Sequence, residues 1–354
     1  MRIDLYCRLR NFIALGFLGI LPSPNAGEVW IERRVITHVG VIPRERDEIR
    51  RIVKFVDDPA RTNRNQSDLI IYKVIDVQGE ELLIEPLMGG TGGMVFGRDV
   101  IPLEKAVQYY SELVSAHPEI ATYYVHRASI LEYQEDHDHA KIDLDQAIRL
   151  DPINASAFNK RGELWLGENR VGRALDDFNR AIELNPDYAI AYHNRGLARQ
   201  ADPGTLAGAI ADYSSAIRLD PRLTLTWYSR GLAHYKMGEF DQSLADYSDA
   251  IRLNRNHPVA LNARAWIRAT CLDDKHRDGR AAVEDATRAC ELTEWAEVEY
   301  LETLAAAFAE CDNFVKAIDV QEKANNLHLD DDSLEGGRQR MALYMANKPC
   351  RKAP

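Results

Sequence analysis

The sequence is poor in cysteine and has no excess of positive charge. Five cysteines are spread over 354 residues, too few for a framework of disulfides. The formal net charge is −11, and an acidic chain repels phosphate, which counts against nucleic acid as a ligand. An apolar fraction of 45% and a charged fraction of 28% exclude both a wholly disordered chain and a polytopic membrane protein.

Long apolar runs are also scarce. Residues 12–21 are mostly apolar, follow a start that contains three arginines, and precede a small-residue breaker that ends at residue 27. The run is too short to span a bilayer, so we expect no stable membrane span in the mature chain. This pattern is typical of a secretory signal over 1–27, whose cleavage would export the protein to the periplasm or the medium. A buried first helix or a membrane-surface anchor is the alternative, and an uncleaved chain would stay cytoplasmic.

Residues 28–103 contain short β-rich runs separated by glycine turns. The run 69–74 would pair with 81–84 across a Gln-Gly turn, and the glycine cluster 89–93 leads into another run at 94–96. Such strands predict a small all-β barrel. The cluster is interpreted as a hairpin turn, because it enters a strand and lacks the Lys-Ser/Thr ending of a phosphate-binding loop. The order of features resembles bacterial Src-homology-3-like domains.

Most of the remaining chain is repetitive, with a period of 34 or 35 residues. Three kinds of residue recur at this spacing. The prolines are Pro118, Pro152, Pro186 and Pro221; the aromatics are Tyr124, Phe158, Tyr192 and Trp227; the small residues include Gly162, Gly196 and Gly231. A small residue lets two helices approach closely, and proline ends a helix because it cannot continue its hydrogen bonds. The pattern resembles the tetratricopeptide repeat.

This resemblance implies a mainly α fold, a right-handed superhelix of stacked helix pairs that follows the small β-barrel. We count a lone helix followed by six repeats over 104–327, and a capping helix with a tail over 328–354. Each helix pair exposes an apolar face that only a neighbouring repeat can cover, so stability requires stacking. Signal, barrel and repeats together resemble a bacterial family of exported repeat proteins.

One charged pattern departs from the usual repeat. The seventh position of the first helix is arginine in repeats one to five, and an aspartate recurs in the second helix. The sixth repeat has Leu304 and Val320 at these places. The arginine and the aspartate are thus both present in repeats one to five and both absent from the sixth. This predicts structural ion pairs, within a repeat or across to the next, because an unpaired buried charge is costly. The pairs are Arg127 with Asp143, Arg161 with Asp177, Arg195 with Asp212, Arg230 with Asp246, and Arg264 with Asp285.

Nothing in the sequence indicates catalysis, a metal or a cofactor. The Asp-His-Asp-His run at 136–139 is interpreted as a turn, because a metal needs three or four convergent ligands. Cys271 and Cys290 fall near opposite helix ends, too far apart for a disulfide. No Ser/His/Asp or Cys/His arrangement can be identified.

We therefore predict a non-enzymatic scaffold that binds a protein or peptide on the concave face of the repeats. Side chains expected there come from fixed positions of the first helices: Asn159, His193, Tyr228, Tyr235, Asn262 and Trp266. Tyr228, Tyr235 and Asn159 are expected to face outward, with the two tyrosines as anchors for a neutral or basic peptide. Trp266 packing under a neighbouring helix is the alternative for that residue. A different function, peptidoglycan binding by the barrel with the repeats as a spacer, stays open.

Overall fold

The computed structural model describes residues 34–37, 71–78, 81–86, 93–96, 100–327 and 331–351. The expected signal at 1–27 and most of the predicted glycine hairpin lie outside these residues. The chain divides into two compact units, Met1–Ala201 and Asp202–Pro354, called unit one and unit two below. The division falls inside the third repeat, between its two helices.

Five short strands of unit one form an antiparallel sheet. The strands are β1 (Arg34–Thr37), β2 (Ile71–Gln78), β3 (Glu81–Pro86), β4 (Gly93–Phe96) and β5 (Val100–Pro102), in the order β4-β3-β2-β1-β5. Val74 lies opposite Ile84 in the β2–β3 pair, and the register shifts between Val74 and Asp76. No pairing joins β4 to β5 among the described strands, so the closed barrel stays a prediction.

The rest of the described chain is α-helical and is built of antiparallel pairs. Unit one contains α1 (Leu103–Ala116), α2 (Ala121–Tyr133), α3 (His137–Leu150), α4 (Ala155–Gly167), α5 (Val171–Leu184) and α6 (Ala189–Gln200). Helices α2 and α3 form the first repeat and α4 and α5 the second, and α6 is the first helix of the third. The lone helix α1 packs on α2 and also contacts β1 and β5.

Unit two continues the same construction. It contains α7 (Leu206–Leu219), α8 (Thr224–Lys236), α9 (Phe240–Leu253), α10 (Pro258–Thr270), α11 (Gly279–Leu292), α12 (Val298–Glu310), α13 (Phe314–Leu327) and α14 (Asp331–Met345). Repeats four, five and six are the pairs α8–α9, α10–α11 and α12–α13, and α14 packs on α13. Between α10 and α11 the fifth repeat has an insertion, which contains a short 3₁₀ turn, Asp274–His276.

In repeats two and four the core contains an aromatic side chain that packs directly against a glycine of the first helix. A Cβ atom built on Gly162 would lie 2.6 Å from Cε1 of the buried Phe178. At Gly231 the same construction meets Cδ1 of the buried Tyr247 at 2.8 Å. Only glycine allows the two helices of these repeats to approach this closely.

Candidate functional site

The predicted groove residues that lie together are Tyr235 on α8 and Trp266 on α10. The two side chains share a hydrogen bond, in which the indole N–H is the donor because it has no acceptor. The ring of Tyr235 also packs edge-on against Phe240, with the ring centroids 5.9 Å apart. Burial is the main cause that raises the pKa of Tyr235, and the hydrogen bond from Trp266 opposes it. Both side chains remain partly exposed.

The expectation that Tyr228 faces outward is wrong. Tyr228 is only 5% exposed. Its ring stacks on Tyr247 at 5.8 Å between centroids and contacts His257, at the start of the next repeat, at 5.7 Å. Burial raises the pKa of Tyr228, with a smaller contribution from the negative charge of Glu299. A side chain enclosed in this way supports the packing of repeats four and five and cannot serve as an exposed anchor.

Asn159 is also buried, contrary to expectation, with 0% exposure. Its amide Nδ2 donates to Glu163 Oε1 at 2.9 Å, and its Oδ1 accepts from Asn194 Nδ2 at 3.1 Å. Asn194 donates to the same Glu163 oxygen at 2.7 Å, and Lys160 Nζ lies 3.2 Å from Oε2. Because buried amides need partners, these residues join repeat two to the first helix of repeat three.

The other two predicted residues are partly exposed in their own units. His193 lies on α6 of unit one, and burial by the surrounding protein lowers its pKa to about 4. Asn262 lies on α10 of unit two, one turn before Trp266, and its Oδ1 has no hydrogen-bond partner among the described residues. Tyr235, Asn262 and Trp266 are thus the predicted residues that are partly exposed in unit two.

The predicted arginine–aspartate pairs have bidentate geometry in four repeats. Each arginine uses Nε and Nη2 to bind both carboxylate oxygens of the aspartate on the second helix of its own repeat, and the aspartates are buried. Arg195 and Asp212 belong to different units. The two distances are 2.7 and 2.6 Å for Arg127–Asp143, 2.8 and 2.7 Å for Arg161–Asp177, 2.9 and 2.7 Å for Arg230–Asp246, and 2.8 and 2.8 Å for Arg264–Asp285.

The sequence analysis missed a third member of this pattern. The Nη1 of every arginine in the series donates to a small polar side chain sixteen residues earlier, on the preceding helix. The acceptors are Ser111, Asp145, Asn179, Ser214 and Ser248, at 3.2, 2.8, 2.8, 3.0 and 3.0 Å. Their period of 34 or 35 residues was the available signal. Each arginine therefore connects its helix to the preceding helix, and four of the five also connect the two helices of their own repeat.

Aromatic rings complete the arginine environment. The guanidinium of Arg230 lies 5.0 Å from the ring centroid of Trp227, and that of Arg127 lies 5.8 Å from Tyr124. Aspartate, polar acceptor and ring thus occupy the donors and one face of the guanidinium. These arginines therefore bind partners within the fold, as structural ion pairs do.

One constellation contradicts the expectation that no Cys/His arrangement exists. Cys271 Sγ lies 3.8 Å from Nδ1 of His276, whose Nε2 lies 3.0 Å from Oδ1 of Asp241. The insertion carries His276, and Asp241 comes from the preceding repeat, so the repeat pattern could not place them together. No group of side chains that could hold a metal ion occurs in the described part of the chain.

Folding stability is expected to depend on pH through His257, which caps the start of α10. Its Nδ1 accepts from the backbone N–H of Ala260 at 3.2 Å, and burial lowers its pKa to about 4 from an ordinary 6.5. The unfolded chain therefore binds the proton more readily, so the stabilisation is complete above about pH 6.5 and is lost as the pH falls towards about 4.

The measurement is urea unfolding at several values of pH in this window. Asparagine also caps helices but does not titrate, so His257→Asn should flatten the pH dependence by about 1–3 kcal/mol. Burial also lowers the pKa of His193 to about 4, so this residue contributes to the slope that remains in both proteins. Equal slopes for the wild type and the variant would contradict the assignment.

The comparisons with known proteins agree with the helix pairs. Models of the tetratricopeptide repeat match residues 121–154 and 225–257, and a further model of this repeat matches 168–202 and 199–238. The solved structure of PilW, a type IV pilus biogenesis factor, is similar with a TM-score of 0.53 and 16% identity, over 61% of this chain and 97% of that one. The chain therefore contains tetratricopeptide repeats, and the prediction of this fold is confirmed for the helical part.

Curated relatives are similar only over short segments. Sperm-associated antigen 1 from Mus musculus is 32% identical over 88 residues, which is 25% of this chain and 10% of that protein. Small glutamine-rich tetratricopeptide repeat-containing protein 2 from Mycosarcoma maydis is 25% identical over 93 residues, 26% of each chain. The matches span about a tenth and a quarter of these relatives. Separately, none of the helices described in this chain is both long and apolar enough to cross a membrane.

Proposed function

We propose that unit two binds an extended segment of a partner protein on a surface formed by Tyr235, Asn262 and Trp266, called the Tyr235–Trp266 surface. Tetratricopeptide repeats generally mediate protein–protein interactions, through the surface that stacked repeats create. The observation that carries the proposal is the hydrogen-bonded, partly exposed pair of Tyr235 and Trp266. The function is that of a non-enzymatic scaffold.

The pair is suited to binding because its geometry is fixed in advance. Tyr and Trp bury large areas at low conformational cost and are common interface anchors. Tyr235 is held on two sides, by the indole of Trp266 and by the ring of Phe240. A partner therefore does not have to order either aromatic side chain, which removes part of the entropic cost of association.

The charges of unit two favour a neutral or basic partner segment. Glu299 at the start of α12 is exposed, and its charge acts on Tyr228 of α8. The chain as a whole carries a formal net charge of −11, which attracts lysine and arginine and repels acidic segments. Asn262 is partly exposed one turn before Trp266 on α10 and adds a polar side chain next to the aromatic pair.

The test is selection from a random peptide library displayed on phage, with the full chain as bait. Replacing Tyr235 and Trp266 together with alanine should reduce recovery of the selected peptides by at least about a hundredfold, because two anchors of about 2 kcal/mol each are lost. Trp295→Ala is the matched control, since Trp295 is 46% exposed in the same unit but lies in the α11–α12 loop. Its recovery should equal that of the wild type.

Circular dichroism distinguishes lost binding from lost structure, because a folded double variant keeps its helical signal. We expect the selected peptides to be neutral or basic. Unchanged recovery by the folded double variant, or selection of acidic peptides, would show that peptides bind at a different surface.

A further inference from the structure

Three side chains of unit two, Cys271, His276 and Asp241, are arranged as around an activated thiol. Cys271 directly follows α10, His276 ends the 3₁₀ turn of the insertion, and Asp241 lies in the first turn of α9. The imidazole stands between the other two groups, with Nδ1 3.8 Å from the sulfur and Nε2 3.0 Å from the carboxylate. A nucleophile beside a base that a third group orients is the arrangement that activates side chains for covalent chemistry.

The carboxylate determines which nitrogen can accept the thiol proton. Asp241 is an acceptor only, so the Nε2–H of His276 donates to it and leaves the lone pair of Nδ1 directed at the thiol. The hydrogen bond from His276 is the main cause that lowers the pKa of Asp241. The carboxylate therefore stays charged at neutral pH and stabilises an imidazolium ring.

We propose that Cys271 is a nucleophilic modification site that reacts with small uncharged electrophiles, with His276 as the proton acceptor and Asp241 as its positioning residue. With iodoacetamide, the thiol proton moves to Nδ1 of His276 and the sulfur forms a bond to the methylene carbon. The carbon–iodine bond breaks, iodide leaves, and the imidazolium returns its proton to water. The product is a thioether, and no oxidant or reductant is needed.

The charged groups around the imidazole are consistent with this step. Asp273 Oδ2 lies 3.8 Å from Nδ1 and adds a second negative charge beside the imidazolium. Lys275 Nζ lies 3.5 Å from Asp241 and 3.6 Å from Asp273 and partly neutralises both. On the thiol side, Arg277 Nη1 donates to the backbone carbonyl of Cys271 at 2.9 Å. Arg277 is itself paired with Glu310 at 3.0 Å, so Lys275 is the group that partly offsets the negative charge next to the pair of thiolate and imidazolium.

The surroundings also limit which reagents can reach the sulfur. Cys271 is only 2% exposed, and the ring of Phe240 packs against His276 with the centroids 5.4 Å apart. Tyr235 lies on the thiol side, where the two groups interact electrostatically. Asp241, the solvent-facing member of the three residues, is exposed, and its negative charge repels anions. A small and neutral electrophile is therefore the class that this site admits.

Two other cysteines of unit two are internal controls. Cys290 is as buried as Cys271, but burial raises its pKa to about 12, which makes it inert at neutral pH. Cys311 is exposed, and its pKa is also raised, chiefly by burial of part of the group. No imidazole lies within hydrogen-bonding distance of either sulfur among the described residues. Comparison with Cys290 shows the reactivity of a thiol that is only buried, and comparison with Cys311 shows that of a thiol that is only exposed.

The experiment measures carbamidomethylation of each cysteine in the full folded chain by mass spectrometry, at about pH 6 and about pH 8.5. An ordinary thiol loses about tenfold in rate for each pH unit below its pKa, so Cys311 should slow by more than about a hundredfold. Cys271 should slow by less than about tenfold, and Cys290 should remain unmodified. A wild-type Cys271 that is inert at both values, or that follows Cys311, overturns the proposal.

Two variants separate activation from a purely structural role of the imidazole. His276→Gln and Asp241→Asn should both give Cys271 the steep pH dependence of Cys311, with a loss of at least about tenfold in rate at about pH 6. If His276 only fastens the insertion, its removal uncovers Cys271 and raises the rate at both values, which overturns the proposal. Asp241 is 74% exposed, so Asp241→Asn keeps the fold and decides the question if His276→Gln does not fold.

Discussion

Replacing Arg127 with leucine while Asp143 is retained is expected to lower the free energy of unfolding by about 3–5 kcal/mol. Asp143 is buried and receives two hydrogen bonds from Arg127, which also raise the pKa of the arginine. The substitution leaves the carboxylate buried without its counter-charge, which is the expensive half of a broken ion pair. Urea unfolding at neutral pH, followed by the helical circular dichroism signal, measures the loss.

The double variant Arg127→Leu with Asp143→Leu shows whether the charge causes this loss. With both charges removed, most of the stability should return, because a buried ion pair is roughly balanced against apolar residues of similar size. Arg180→Leu is the control for an exposed pair. Its partner Glu183 lies 3.1 Å away, both side chains are largely in solvent, and the change should be about 0–1 kcal/mol. Equal losses in the single and double variants would contradict the structural ion pair.

The sequence could predict the partners of the arginines within each repeat but not those in the preceding one. The predicted partner within the repeat is aspartate in all five repeats, so its 34- or 35-residue spacing can be seen in the sequence for most of them. The acceptor of Nη1 is serine, aspartate or asparagine, and these residues share only a side-chain oxygen. A search for a repeated chemical function would have found them, whereas a search for a repeated residue type does not.

The groove residues show a different limit of the repeat pattern. Tyr228 and Tyr235 are seven residues apart on α8, almost two full turns, and therefore point in similar directions. Position along a helix determines this direction but not what covers the side chain. His257 at the start of the next repeat covers Tyr228, whereas Tyr235 meets Trp266 and stays partly exposed. Exposure depends on residues of the neighbouring repeat, and the pattern of one repeat does not contain them.

The thiol site was beyond sequence reasoning because the insertion interrupts the period. Residues inside the repeats have equivalents at 34 or 35 residues, which places them on known helix faces. His276 has no equivalent in the other repeats, so nothing in the sequence indicates that its ring reaches back to Asp241 of α9. Local irregularities in a regular fold are where unpredicted side-chain chemistry is expected.

The contact between Gly162 and Phe178 yields the second large effect. Phe178→Ala is expected to cost about 3–5 kcal/mol, because a fully buried ring is removed and a cavity remains between α4 and α5. Gly162→Ala should cost about 1–3 kcal/mol, since its Cβ would lie 2.6 Å from Cε1 and 2.8 Å from Cδ1 of the ring. The rigid ring cannot move aside without displacing α5.

The two substitutions should compensate each other. In the double variant the new methyl group enters space that the ring has vacated, so the total loss should be smaller than the sum of the single losses by at least about 1 kcal/mol. Gly172→Ala in α5 is the matched control. A Cβ there meets nothing within 4 Å, and alanine should stabilise the helix by about 0.5–1 kcal/mol relative to glycine. If the losses are strictly additive, or if Gly162→Ala leaves the stability unchanged, the close approach of α4 and α5 does not depend on glycine at position 162.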